Sequence, residues 1–164
     1  MNALLKKAIE NLHVVSVNLR SINGSIHDNI ENYDFSALEK QGYNAVNKIK
    51  LVQAEVPSEN DKSVIWFEYH FFYSTGVRLV NINNDPKENL DDDTHEPAVE
   101  ITATFTAVYK TDTELDKECI EAFSENNIGY HVWPYWRELV QSYCARASIP
   151  MIEIPFYLCS SEKQ

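Results

Sequence analysis

The chain has 164 residues, 44% of them hydrophobic and 24% charged, the size and balance of one globular domain with a sizeable core. Its 14 Lys+Arg against 25 Asp+Glu give a net charge of −11, which argues against a nucleic-acid partner and against an anionic membrane surface. Three widely spaced cysteines (Cys119, Cys144, Cys159) fit neither a disulfide framework nor a zinc site, so a reducing cytoplasm is the expected compartment.

Leu4, Leu5, Ala8, Ile9 and Leu12 fall at helical spacing and predict a short amphipathic helix with Asn2 as its cap. This stretch lacks the apolar core of a signal peptide, and no run approaches the ~18 apolar residues of a membrane span. A strand is expected over 13–22, with Val15, Val17 and Leu19 on one face and a turn at Asn23-Gly24. Residues 25–44 are polar and read as an irregular connection with a helical turn. A second strand over 46–56 leads into a turn at 57–62.

The third strand is the clearest element. Ile65, Phe67, Tyr69, Phe71, Tyr73, Val77 and Leu79 alternate with Trp66, Glu68, His70, Phe72, Ser74 and Arg78. After a long acidic loop over 81–97, a fourth strand over 99–109 turns Ile101, Ala103, Phe105 and Ala107 inward and Thr102, Thr104 and Thr106 outward. Leu115, Cys119, Ala122 and Phe123 mark a short helix. Trp133-Pro134-Tyr135-Trp136 then opens a longer one, with Pro134 in its first turn, where a missing N–H does no harm. Trp136, Leu139, Val140, Tyr143, Cys144 and Ala147 form its apolar stripe, and Pro150 ends it. The tail over 149–157, apolar and broken by prolines, must cover something: its own sheet, a neighbouring subunit or a bound chain. Strands grouped before helices indicate a single α+β domain over 1–164. Its four-stranded antiparallel sheet is followed by two C-terminal helices packed on one face, with a short N-terminal helix.

The chemistry of an enzyme is missing from this pattern. Four glycines leave no phosphate-cradling loop and no nucleophile elbow. Asp91-Asp92-Asp93 with His95 and Glu96 lacks the ligand spacing of a calcium loop and reads as a solvated charge run. Cys144 and His131 could form a nucleophile–base pair, but Cys144 lies on the apolar stripe as a buried thiol. No catalytic residue, metal or cofactor is expected. What stands out is an aromatic surplus of nineteen side chains (3 Trp, 9 Tyr, 7 Phe), more than a small core readily buries. Trp66 and Phe72 fall on the polar face of their strand, and four successive positions over 133–136 cannot all face inward. Exposed aromatic surface implies a partner. Trp136 is assigned to the core and Trp133 to a contact surface.

The residues Asn127-Ile128, Pro134-Tyr135-Trp136-Arg137-Glu138, the exit Ala145-Arg146 and the tail Ile149-Pro150-Met151-Ile152-Glu153-Ile154 resemble the SecB family of export chaperones. There a helix opens on a phenylalanine-proline-tyrosine-alanine-arginine-glutamate run, leaves through serine-arginine-glycine and continues into a proline-containing apolar tail. The order of four strands and then two helices matches as well. The resemblance implies a cytoplasmic holdase without ATPase activity, assembled as a dimer of dimers, whose apolar grooves hold unfolded or partly folded polypeptides and pass them to the SecA motor. Trp66, Phe72, Trp133, Tyr135, Met151, Phe156 and Tyr157 would then supply the client contacts. Two departures bear on the motor. The residues after Leu158 do not match the family's further acidic amphipathic helix. The outward face mixes Glu68 and Glu100 with Arg78 and Lys110, where the motor's docking face is acidic. A divergent form dedicated to one partner, such as the antitoxin of a toxin–antitoxin pair, would keep the fold and lose the motor; the N-terminal helix is compatible with that branch.

Overall fold

Two strands of strict alternation organise the molecule. The computed structural model describes residues 3–57, 63–81 and 96–157. The Asn2 cap, most of the 57–62 turn, the acidic stretch through Asp91-Asp92-Asp93 and His95, and Cys159 lie outside the described residues. Helix α1 (Ala3–Asn11) precedes strand β1 (His13–Ile26), and two short 3-10 turns lead to β2 (Glu39–Val56). Strands β3 (Val64–Val80) and β4 (Val99–Thr111) are followed by helices α2 (Lys117–Asn126) and α3 (Ile128–Ala147). The sheet is antiparallel throughout, in the order β1-β4-β3-β2. The α+β architecture read from the sequence is the one observed.

Because side chains alternate across a strand, one face of β3 and β4 delivers the core. Tyr69, Phe71, Tyr73, Val77 and Leu79 are buried there with Val99, Ile101, Ala103, Phe105, Ala107 and Tyr109. Helix α3 covers this face with Ile128, Val132, Trp136, Val140 and Cys144, a row of four-residue steps that makes one buried stripe. Helix α2 adds Cys119, Ile120 and Phe123; the Phe123 ring meets Tyr109 edge-on at 5.0 Å. Ala8 and Leu12 are buried as well, and Lys7 at 2.7 Å from Asp116 ties α1 to the start of α2.

Three expectations need correction. Asn23-Gly24 is not a turn: β1 continues to Ile26, and Gly24 pairs with Ile101. Gly24 has no positive φ; it is needed because the Tyr143 ring of α3 lies where its Cβ would be. Residues 39–44, expected to be irregular, belong to β2 and pair with residues 75–80 of β3. Finally, α3 begins at Ile128 and not at Trp133, so Pro134 lies inside it. Ile128 and Val132 extend the buried stripe by more than a turn and carry the helix past the proline. The bond that Pro134 cannot make would have gone to the carbonyl of Tyr130, on an exposed residue where water can take it.

Candidate functional site

The chain leaves α3 through a tight reversal. Ser148 takes the left-handed conformation, φ 55° and ψ 37°, while its N–H donates to the Ala145 carbonyl and that of Ile149 to the Cys144 carbonyl. Pro150 holds Ile149 out of helical geometry, and the chain runs back along α3 as an extended strap. Ile152 is 4% exposed and anchors the strap in the core. Beyond it, three successive main-chain carbonyls are held by side chains of the body. Lys40 Nζ donates to the Glu153 carbonyl at 2.6 Å, Arg137 Nε to that of Ile154 at 3.1 Å, and Trp133 Nε1 to that of Pro155 at 2.6 Å. Trp133 and Arg137 act together because they are four residues apart on one helix face.

The strap's own side chains close the arrangement. Tyr157 packs tilted against Trp133 at 5.4 Å between centroids and lies over Gly129, whose missing Cβ makes room for the ring. Phe156 sits on the Arg137 guanidinium at 4.4 Å yet stays 77% exposed. Beside the strap are two depressions. One of about 240 Å³ lies toward the sheet, lined by Gly42, Tyr43, Asn44, Gly76, Trp133, Trp136, Ile154 and Pro155. The other, about 450 Å³, lies on the outer flank and is lined by Lys40, Arg137, Gln141, Met151, Glu153 and Phe156 with Ile154 and Pro155. The Tyr73 hydroxyl is buried and has no hydrogen-bond partner; burial first, and the neighbouring Tyr157 second, raise its pKa.

The seven aromatic and apolar residues singled out in the sequence therefore fall in different places. Trp133, Met151, Phe156 and Tyr157 meet around the strap, and Tyr135 is exposed on α3 nearby in sequence. Trp66 and Phe72 lie on the face of the sheet away from α3, half-buried under the ammonium groups of Lys110 at 4.6 Å and Lys48 at 5.4 Å. Sequence reading gave Lys40 no role, because it lay in a segment with no recognisable pattern. Arg137 appeared only as part of the helix-opening run; its spacing from Trp133 was the available signal.

Two further features bear on chemistry. His131 Nδ1 lies 2.8 Å from the Tyr109 hydroxyl, and burial pushes the His131 pKa down. Cys144 is 1% exposed and three and a half helical turns from His131, about 20 Å along the axis, so the two do not form a pair. Among the described residues no cluster of His, Cys, Asp and Glu could hold a metal ion, and no helix is long and apolar enough to cross a membrane.

No protein-family model matches the sequence, and no curated protein matches it. Among solved structures, the chain is similar to the Mycobacterium tuberculosis SecB-like chaperone Rv1957, solved in complex with a ChAD peptide from the Rv1956 HigA1 antitoxin. The TM-score is 0.62 at 12% sequence identity, over 96% of this chain and 98% of that one. The chain has the SecB-like fold. At this identity the likeness is one of architecture, and it extends over nearly the whole chain.

Proposed function

We propose that this SecB-fold protein is an ATP-independent polypeptide-binding protein, a holdase for unfolded or partly folded chains, and not an enzyme. The observation that carries the reading is the strap: the body holds an extended, apolar, proline-containing segment by its main-chain carbonyls. A non-native client presents the same features, apolar side chains and unpaired backbone, so donors that grip carbonyls beside open apolar depressions suit it. Trp133, Tyr135 and Met151, with the places that Phe156 and Tyr157 occupy, form the proposed contact surface; Trp66 and Phe72 form a second apolar area on the opposite face. The fold neighbour, solved in complex with a peptide, supports a polypeptide as the ligand. Holding the unfolded state then opposes folding by mass action, without a nucleotide.

A cytoplasmic homotetramer, a dimer of dimers, is the proposed assembly. The uncovered apolar residues of the edge strands (Val14, Leu19 and Ile22 on β1, Ile49 and Leu51 on β2) support self-association. Delivery to the SecA export motor is disfavoured by the outer face, where the Glu68 carboxylate lies 3.4 Å from Lys110 and 3.2 Å from His70 and is partly neutralised. A second reading, a module dedicated to one partner, is favoured by the antitoxin peptide on the fold neighbour. Native mass measured with and without a reduced, permanently unfolded protein separates them. A tetramer that retains the unfolded protein and ignores its folded form supports the holdase. An assembly that ignores unfolded chains in general leaves the dedicated module.

A further inference from the structure

We infer that the strap over residues 153–157 is a cis occupant of the polypeptide seat, and that an extended apolar client segment displaces it. The inference rests on the polypeptide-binding reading above. The grip on the strap is nearly blind to its sequence. Lys40, Arg137 and Trp133 donate to carbonyls, which every peptide carries, so the same three donors can serve another extended segment. Beyond the Ile152 anchor the strap's side chains are only partly enclosed: Ile154 is half-buried, Phe156 is 77% exposed, and Tyr157 rests on Trp133 and Gly129.

The strap is also an incomplete ligand. It leaves the Tyr73 hydroxyl buried and unpaired, in a residue only 2% exposed, although Tyr157 lies beside it. Native structures leave few such groups, and a shift of the neighbouring Tyr157 would let it find a partner. Pro155 has no N–H to offer a neighbour, so the strap is kept from joining a sheet edge as a strand. Depressions of about 240 Å³ and 450 Å³, both bordered by Ile154 and Pro155, show that the strap does not fill its surroundings. A weak, imperfectly paired cis ligand on a surface suited to extended chains is one that a longer apolar segment replaces. The strap then protects the surface until a client arrives.

The test compares the full chain with its Gly129→Ala variant. The added methyl meets the Tyr157 ring and loosens the strap, while alanine favours the helix. The probe is a fluorescent, reduced and carboxymethylated protein that cannot refold. Gly129→Ala is expected to bind it about tenfold more tightly, the factor for a seat filled by the strap about nine-tenths of the time. A free peptide with the sequence of residues 152–157 should compete with the probe on the variant and far less on the wild type. Equal or weaker probe binding by the variant overturns the inference. Probe binding by neither chain instead removes the polypeptide-binding reading itself. Independently of the variant, the Ile154 methyl resonance of the wild-type chain should move to its random-coil position as the probe saturates; an unmoved resonance with probe bound also overturns the inference.

Discussion

Trp136 and Trp133 stand less than one turn apart on α3 and are held by different physics. Trp136 is 1% exposed, and its packing within the core determines its place. Trp133 is held by a hydrogen bond to the Pro155 carbonyl and by the tilted ring of Tyr157. Around Trp136 the protein specifies shape: the buried stripe of α3 and the inward face of β3 and β4 belong to one packed core. Around Trp133 it specifies only a path for a main chain. A core that discriminates and a flank that does not, on adjoining strips of a single helix, is what a binder of many sequences requires.

The contrast can be broken by substitution. Trp136→Ala should destabilise the fold by about 3–5 kcal/mol, because a large buried ring leaves a cavity that neighbours only partly fill; a urea titration followed by circular dichroism reads this directly. Trp133→Phe keeps an aromatic ring but loses the N–H with the rest of the indole's five-membered ring, at a half-buried site where water can take over the hydrogen bond. Its unfolding midpoint should move by no more than about 1 kcal/mol, while proteolysis after Phe156 accelerates. Equal losses for the two variants would erase the distinction between core and flank.

Smaller effects sharpen the boundary between the two regions. Ser148 spends its folded life at φ 55°, where a side chain is disfavoured, so Ser148→Gly should raise the melting temperature, by an amount equivalent to about 0.5–1 kcal/mol. The smallest effect is a dependence on pH at the far end of α3. Burial holds the His131 pKa below its ordinary value of 6.5, so the unfolded chain takes up a proton more readily than the folded one. The His131 contribution is therefore fully present above about pH 6.5 and is lost as pH falls through the lower pKa of the folded state. His131→Gln, which can still accept from Tyr109, should flatten the difference between urea midpoints taken at about pH 7.5 and about pH 5.5; an unchanged difference would assign it to other groups.

The sequence revealed the centre of the fold better than its margins, for reasons that individual residues make plain. Strands β3 and β4 bury one full face, so Phe71 or Ile101 announces itself by alternation. The edge strands are exposed over most of their length, and Glu39 to Asn44 carry no apolar rhythm; only pairing with β3 makes them a strand. Pro134 misled because a local rule for helix starts competed with a stripe reaching back to Ile128, and the stripe prevailed. The strap's seat was hidden for a different reason. Its acceptors are main-chain atoms, and its donors, Lys40, Trp133 and Arg137, are scattered along the chain. The side chains around it, Trp133, Met151, Phe156 and Tyr157, were legible as an apolar surplus, but the hydrogen bonds that organise them were not.

The sheet order has a consequence for the protein's own synthesis. Strand β1 lies beside β4, with Val14 opposite Tyr109, whereas β2 and β3 each pair with the next strand to emerge. On a ribosome β1 is made first and completed last. Until most of the chain has been translated, Val14, Val15, Val17, Leu19 and Ile22 wait without a partner, and closing that contact is the slowest kind of pairing a sheet can demand. During that interval the nascent protein displays what its finished surface is built to receive: an extended, apolar strand with nothing yet to hold it.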